Sequence, residues 1–448
     1  MRKFSLVIIL LSVALMAGGC TSYFYGYSNV TTNEINERKG LAVEWLSTAP
    51  FISAGEGEVT VLYDGVFKKT EVVPQPPKGS VFLLYQDIAS KSRDGFFPFT
   101  STEAESQFLI TAAEIYENIK SSGLLDRMKT VGDRLIDKIF YSKVYDKDVA
   151  LIHRMTFFNF ETDAWEEKIQ EVYTEDMLDT ATALIKLSQI TGDNKYDTSA
   201  KELLDTVITL QKIAKRDNKK DLDGALYFRV VNYYNDSEYH PSWDVFPIMI
   251  TESVYDAFTA AYKYSNDKKY LQVRDEYFIW AETQVNSEKF WNKYGMPYLG
   301  VDGYGNPIRY TQEKWSADSE VDTERTLRMI YGLCKWKPES GQNYIRILDT
   351  PLGKKALYKW YIPQYLNDTG DPTFFTGELA VIPKIYLNLY MNNIGRNKER
   401  NEIILELVGE QRLVGDNIAK GVWTEGVFTN IKSSLSIMRA LNELSEEI

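Results

Sequence analysis

A short cluster of acids, hydroxyls and aromatics recurs six times along the chain, each time opening a long stretch of helical periodicity. The copies are Thr100-Ser-Thr-Glu-Ala-Glu-Ser106, Tyr173-Thr-Glu-Asp176, Pro241-Ser-Trp-Asp244, Trp315-Ser-Ala-Asp318, Thr373-Phe-Phe-Thr-Gly-Glu378 and Trp423-Thr-Glu425. Acids and hydroxyls at a helix start satisfy or complement free backbone N–H groups, so one copy carries little information. Six copies imply a ring of helices whose starts converge on one acidic, aromatic-lined cleft.

The 3.6-residue periodicity, broken by Gly, Asn and Asp, predicts antiparallel helix pairs. Glu103–Ser121 pairs with Leu124–Tyr141, Asp176–Thr191 with Tyr196–Ile213, and Pro247–Ser265 with Tyr270–Val285. Asp318–Trp336 is followed by Ile345–Leu366, and Gly377–Met391 by Lys398–Leu413. A last helix, Phe428–Glu446, has no successor, and an early one, Asn33–Leu46, has no partner beside it. Pairing these two completes six hairpins. The predicted fold is an all-α (α/α)6 toroid in which the N-terminal helix closes the ring, because closure leaves no orphan apolar face. Glu58–Tyr63, Ser80–Tyr85, Ala150–Phe160, Ala225–Tyr234 and Tyr298–Tyr310 read as short β insertions between hairpins, where cleft walls would stand. Residues 33–448 are expected to form one domain.

The first twenty residues read as an export signal. Arg2 and Lys3 precede an apolar run from Phe4 to Met16, and Ala17-Gly-Gly-Cys20 resembles a bacterial lipobox. Cys20 is therefore expected to be lipidated, with residues 21–32 as a tether and the chain anchored in a bacterial cell envelope, facing the periplasm or exterior. The apolar run is too short to span a bilayer comfortably. Beyond Cys20 the chain holds one cysteine, Cys334, read as a core residue, and there are only two histidines. Neither a cysteine-built zinc site nor a multi-histidine metal centre can be assembled from this material. No phosphate-cradling glycine loop, His-Glu-x-x-His or EF-hand spacing occurs, so no cofactor is expected. A net charge of −12 argues against a nucleic-acid partner. The 30 tyrosines and 9 tryptophans suit stacking on sugar rings, and a polysaccharide or oligosaccharide is the expected partner.

Four of the spaced motifs resemble glycoside hydrolase family 8, the inverting endoglucanase and chitosanase group. Thr102-Glu-Ala-Glu-Ser106 followed by Leu109-Ile110 is similar to that family's Ser-Glu-Gly-Gln-Ser-x-x-Met-Leu segment, and Thr174-Glu-Asp-Met-Leu-Asp-Thr-Ala181 to its Thr-Asp-Ala-Asp-x-Asp-Ile-Ala segment. Pro241-Ser-Trp243 with Tyr255-Asp-Ala-Phe258 resembles Pro-Ser-Tyr…Tyr-x-x-Phe, and Val321-Asp-Thr-Glu-Arg325 resembles Tyr-Asp-Ala-x-Arg. The resemblance implies hydrolysis of a β-glucan-like polymer, with Glu103 as general acid, Glu175 as a substrate-positioning carboxylate, Asp322 as general base and Arg325 orienting nearby groups. The chain departs from the pattern at Ala104-Glu105, Met177 and Val321. Asp176, Trp243, Asp244, Trp315, Trp423 and Glu425 are the other expected substrate-binding residues.

Inverting hydrolysis needs one protonated and one ionised carboxyl about 6.5–9.5 Å apart. A second acid beside Glu103, either Glu105 or Glu175, would raise its pKa, while the helix N-terminus favours the anion. Structural alternatives stand beside each role. Glu103 and Glu175 can be first-turn acids, Asp322 can pair with Arg325 at i,i+3, Asp244 and Glu425 can cap, and the tryptophans can form a buried collar. A polysaccharide lyase or epimerase on the same toroid, with Asn235, Tyr239 and His240 as the lyase trio, is one rival function. The acid-rich helix starts argue against a lyase, which must neutralise a uronate carboxylate. A non-catalytic sugar-binding lipoprotein is the other rival.

Overall fold

Eleven helices among the described residues fall into two concentric layers. The computed structural model describes residues 32–63, 69–86, 95–168, 170–216, 222–232, 238–241, 246–291, 297–298, 300–308, 323–339, 381–409, 411, 423–425 and 428–445. In chain order the helices are α1 (Thr32–Thr48), α2 (Thr102–Ile119), α3 (Ser122–Asp137), α4 (Thr174–Thr191), α5 (Asn194–Arg216), α6 (Thr251–Ser265), α7 (Lys268–Val285), α8 (Thr323–Trp336), α9 (Val381–Met391), α10 (Asn397–Gly409) and α11 (Ile431–Ser445). Helices α2, α4, α6, α8, α9 and α11 each pack on the next, and α11 packs back on α2. Around this ring α3, α5, α7 and α10 back their preceding partners, and α1 lies against α11 and α3. This is the (α/α)6 toroid with the N-terminal helix closing the ring. The expected outer helix Ile345–Leu366 lies outside the described residues, as do residues 1–31, which hold the expected export signal, Cys20 and most of the expected tether.

The two ends of the ring are built differently. At one end the inner helices turn directly into outer ones through single left-handed residues: Lys120 (φ 49°), Gly192 (φ 70°) and Asn266 (φ 57°) each donate a backbone N–H to the carbonyl four residues back. Such αL caps satisfy helix-end carbonyls at the cost of strain for non-glycine residues. At the other end β-strands feed the inner helices. Phe99–Ser101 runs into α2, Glu171–Tyr173 into α4 and Phe428–Asn430 into α11. A six-stranded sheet joins Thr424–Glu425 and Phe428–Asn430 to Leu84–Gln86, Gly95–Phe96, Glu58–Tyr63 and Lys69–Pro74, so residues far apart in the chain meet there. The first turns of these inner helices are therefore held by sheet hydrogen bonds, not by a flexible loop.

Three expected boundaries shift. The helix expected over Leu124–Tyr141 ends at Asp137, and Ile139–Val144 forms a hairpin with Lys147–Ile152. Its turn places Tyr145 (φ 47°) and Asp146 (φ 61°) in the left-handed region without a glycine or asparagine, so the usual hairpin signal is missing. The start expected at Pro247 moves to Thr251, after a short strand Phe246–Pro247, and the one expected at Phe428 moves to Ile431.

The apolar core lies between the two layers, where Leu135, Leu184, Leu187, Tyr196, Leu203 and Val207 are buried. Cys334 belongs to it, and burial pushes its thiol up to about 12. No helix among the described residues is long and apolar enough to cross a membrane. The interior of the ring, by contrast, is filled by charge.

Candidate active site

The charged side chains inside the ring are largely divided by helix, with Lys186 on α4 (3.3 Å from Glu114) and Glu443 on α11 (3.5 Å from Lys384) as exceptions. Helices α2, α4 and α6 supply Glu103, Glu114, Glu175, Asp176, Asp179, Glu252 and Asp256, whereas α8, α9 and α11 supply Arg325, Arg328, Lys335, Lys384, Lys432 and Arg439. Ion pairs join the halves. Arg325 Nη1 lies 2.7 Å from Glu175 Oε2, and Arg328 reaches Glu175 (2.9 Å), Glu252 (2.8 Å) and Asp179 (3.6 Å) together. Helix α6 stands between α4 and α8 in the ring, so these arginines span the interior. Lys384 sits 3.6 Å from Glu252, and Arg439 makes two bonds to Glu114. A rigid guanidinium fork can satisfy several carboxylates at once, as a lysine cannot.

Close backbone approach makes this possible. A Cβ at Gly332 in α8 would fall 2.5 Å from the backbone of Thr251 and Glu252, so only glycine lets α8 touch the start of α6. Thr251 Oγ1 donates to Met329 O at 2.8 Å across the same contact. Arg328, one turn earlier in α8, is thereby set against Glu252.

The acids at the helix starts are not caps. Helix α2 is capped by Ser101, whose Oγ accepts from Ala104 N, while α4 and α6 have Tyr173 and Ile250 at the cap position and no side-chain cap. Burial would raise the pKa of Glu103, but Lys432 at 2.7 Å, then Arg325 and Arg154, outweigh it and hold the carboxyl well below the usual range. Glu175 is likewise lowered: burial opposes ionisation, and Arg325 and Arg328 overcome it. Lys384, Arg328 and Arg439 do the same for Glu252.

Asp176 behaves oppositely. It is 5 % exposed, and its Oδ2 has no hydrogen-bond partner among the described residues. Burial is the largest influence; Arg154 opposes it, and the charges of Glu103, Glu175 and Asp179 add to it, so the pKa is pushed up to about 7. Asp179, one turn deeper on α4, is raised to about 6 by burial against the pull of Arg328, and Gln107 Nε2 donates to its Oδ2 at 3.1 Å. Adjacent residues on one helix are thus pushed apart, Glu175 held ionised and Asp176 titrating near neutral pH.

The structure brings Glu103, Glu175, Asp176 and Arg325 together at the strand-fed end of the ring. Arg325 binds Glu175 there. Trp423 does not line a cleft: it is 1 % exposed, with its indole N–H donated to Leu407 O at 2.6 Å, because α10 packs over it. Glu425 lies in a strand paired with Phe428. Trp243, Asp244, Trp315 and Asp322 lie outside the described residues. Of the lyase trio, Tyr239 is buried and its hydroxyl pushed up to about 12, which makes it a poor base, and Asn235 is outside the described residues. Glu105, two residues past Glu103, faces away from the site into a fully buried pair with Lys138 at 2.7 Å.

Sequence reasoning missed Arg154, Asp179, Arg328 and Lys432. Arg328 carried a usable signal, since it repeats Arg325 at i+3 on an otherwise apolar inner face. Among the described residues no group of three His, Cys, Asp or Glu side chains is arranged to hold a metal ion. What the site offers chemically is an acid that titrates near neutral pH, Asp176, close to a carboxylate held ionised, Glu103.

No family profile and no curated protein matches the chain by sequence. Solved structures do match. The chain is similar to the cellobiose 2-epimerase of Bacillus thermoamylovorans B4167 (TM-score 0.59, 11% identity, 93% of this chain and 99% of that one). It is similar to an unsaturated glucuronyl hydrolase specific for heparin (0.57, 11%, 93% and 98%). It is also similar to a family 76 glycoside hydrolase from a bovine Bacteroides thetaiotaomicron strain (0.51, 11%, 92% and 78%). At these identities the likeness establishes the fold, the six-hairpin glycosidase-like toroid, and the site must argue the chemistry.

Proposed function

We propose that this toroid is a glycoside hydrolase that cuts a polysaccharide at the strand-fed mouth of its inner ring. One observation carries it: Asp176 is a buried acid with a pKa near 7 and an unpartnered oxygen, beside a Glu103 held ionised by Lys432. A glycosidase needs that division, a proton for the leaving oxygen and an anion to activate water. Asp176 therefore takes the role of general acid, and Glu103 the role of base, the reverse of the part the family 8 motif gives Glu103. Glu175, clamped by Arg325 and Arg328, stays ionised, and its charge helps Asp176 keep its proton. Asp322 is the competing base from the motif pattern. Inversion of the anomeric centre results if the attacking water sits between Asp176 and the base.

A β-glucan is the substrate the motifs favour. One family 76 structure with this fold is an α-mannanase from Bacteroides thetaiotaomicron, which makes α-mannan the natural competitor. The leader sequence supports export and lipid anchoring through Cys20 in a bacterial envelope.

Purified protein is to be incubated with β-glucans, chitosan, α-mannan and uronate polymers while reducing ends, ultraviolet absorbance and product anomers are followed. New reducing ends without unsaturated product are expected, with loss in Asp176→Asn and Glu103→Gln. Comparison with Asp322→Asn decides which anion is the base. Full activity in Asp176→Asn would sink the assignment, absorbance would point to a lyase, and isomerised sugar at unchanged chain length to an epimerase.

A further inference from the structure

Arg154 lies in the two-residue link between the strands Lys147–Ile152 and Met155–Asn159, on no inner helix. Its carbonyl accepts from Thr102 N at 2.9 Å, and the Thr102 hydroxyl donates to the neighbouring carbonyl of His153. The link is thereby stapled to the first residue of α2, one position before Glu103. The Arg154 guanidinium meanwhile lies 3.7 Å from the ring centroid of Tyr173, the residue from which α4 starts, three positions before Asp176. Tyr173 is itself fixed: its hydroxyl donates to Glu171 at 2.9 Å and accepts from Arg229 Nη1 at 3.2 Å. One residue is thus held by its main chain at the start of one inner helix and by its side chain at the start of the next.

We propose that Arg154 is a positioning residue that bridges the starts of α2 and α4 and presents its charge to the acids of both first turns. A guanidinium stacked on a tyrosine face is oriented and partly desolvated, so its charge acts on its neighbours with little screening. The charges that act on Asp176 after burial are those of Glu103 from α2 and Glu175 and Asp179 from α4, with Arg154 the opposing cation. Glu103 differs, because Lys432 and Arg325 also act on it. Loss of Arg154 therefore leaves Glu103 ionised but lets Asp176 keep its proton to higher pH. The effect is selective, and it rests on Asp176 being the proton donor.

The test is infrared difference spectroscopy on the full purified chain, following the carbonyl band of protonated side chains against pH. A band that titrates near 7 in the wild type and is missing in Asp176→Asn identifies Asp176 without any substrate. In Arg154→Met its midpoint is expected to rise by about one pH unit or more, the effect of removing a neighbouring opposite charge. Arg154→Lys is expected to restore a midpoint close to the wild type. Arg154→Gln carries the same expectation as Arg154→Met if the methionine variant does not fold. An unmoved midpoint in the folded variant overturns the role of Arg154 and leaves Asp176 as donor. If no band distinguishes the wild type from Asp176→Asn, both assignments fall.

Discussion

The half of the inner ring made by α2, α4 and α6 and the half made by α8, α9 and α11 share one architecture and carry opposite charge. Each half alone would bury uncompensated ions, which costs several kcal/mol per ion. Together they form a lattice in which most carboxylates meet a cation across the interior. Asp176 is the exception, and burial pushes its pKa up to about 7. The contrast teaches that the chemistry comes from an incomplete match: the cations of one half hold Glu103, Glu175 and Glu252 ionised, and the acid they do not pair titrates near neutral pH.

The largest effect is expected from breaking the bridge itself. Arg328→Met leaves Glu175, Glu252 and Asp179 facing each other and is expected to lower stability by about 3–5 kcal/mol in denaturant unfolding. If the loss is below about 1 kcal/mol, the halves are not coupled through this residue. Asp176→Asn is expected to reduce hydrolysis by about 10²–10⁴-fold while preserving the fold, read from initial rates and circular dichroism.

The same variant sharpens the comparison through pH. Asp176 has a pKa near 7 in the folded chain, against about 3.9 unfolded. A raised carboxyl stabilises below the unfolded value, and that stability is lost as pH rises through 7. The wild type is therefore expected to lose up to about 4 kcal/mol between pH 4 and 8 relative to Asp176→Asn, measured as unfolding free energy against pH. Lys432→Met acts on the other side. It is expected to raise the Glu103 pKa by about 1–3 units and so move the acidic limb of the rate profile upward, leaving the basic limb in place. The smallest effect is expected outside the ring, where the exposed pair Lys398–Glu402 on α10 joins no lattice. Lys398→Ala there should cost no more than about 0.5 kcal/mol, within the range of thermal melts.

The toroid was legible because each inner helix repeats an apolar stripe and an outer partner, and because Asn33–Leu46 and Phe428–Glu446 had no other place to bury theirs. The acids at the mouth were legible as first-turn residues. Their protonation was not, since it depends on cations more than a hundred residues away: Arg325 and Arg328 on Glu175, Lys432 on Glu103. Arg154 was invisible for a related reason. It sits in a turn whose neighbours are set by strand pairing, and the hairpin before it turns at Tyr145-Asp146 without glycine or asparagine. Trp423 misled because an aromatic ahead of an acid looks the same in sequence whether it faces a sugar or, as here, a helix backbone.

The contact between α1 and α11 bears on how the molecule is made. The earliest described helix packs on α3 early but gains its inner-ring neighbour α11 only when the last helix has been synthesised, so ring closure is a contact of very long sequence separation, slow to form and dependent on every hairpin between. Chains shortened at the C-terminus keep the outer helices but leave α1 and α2 with bare apolar flanks, the kind of surface that aggregation and proteolysis act on. Closure is thus a built-in completeness check: a molecule that has lost its last helix is marked as unfinished by the helix at its other end.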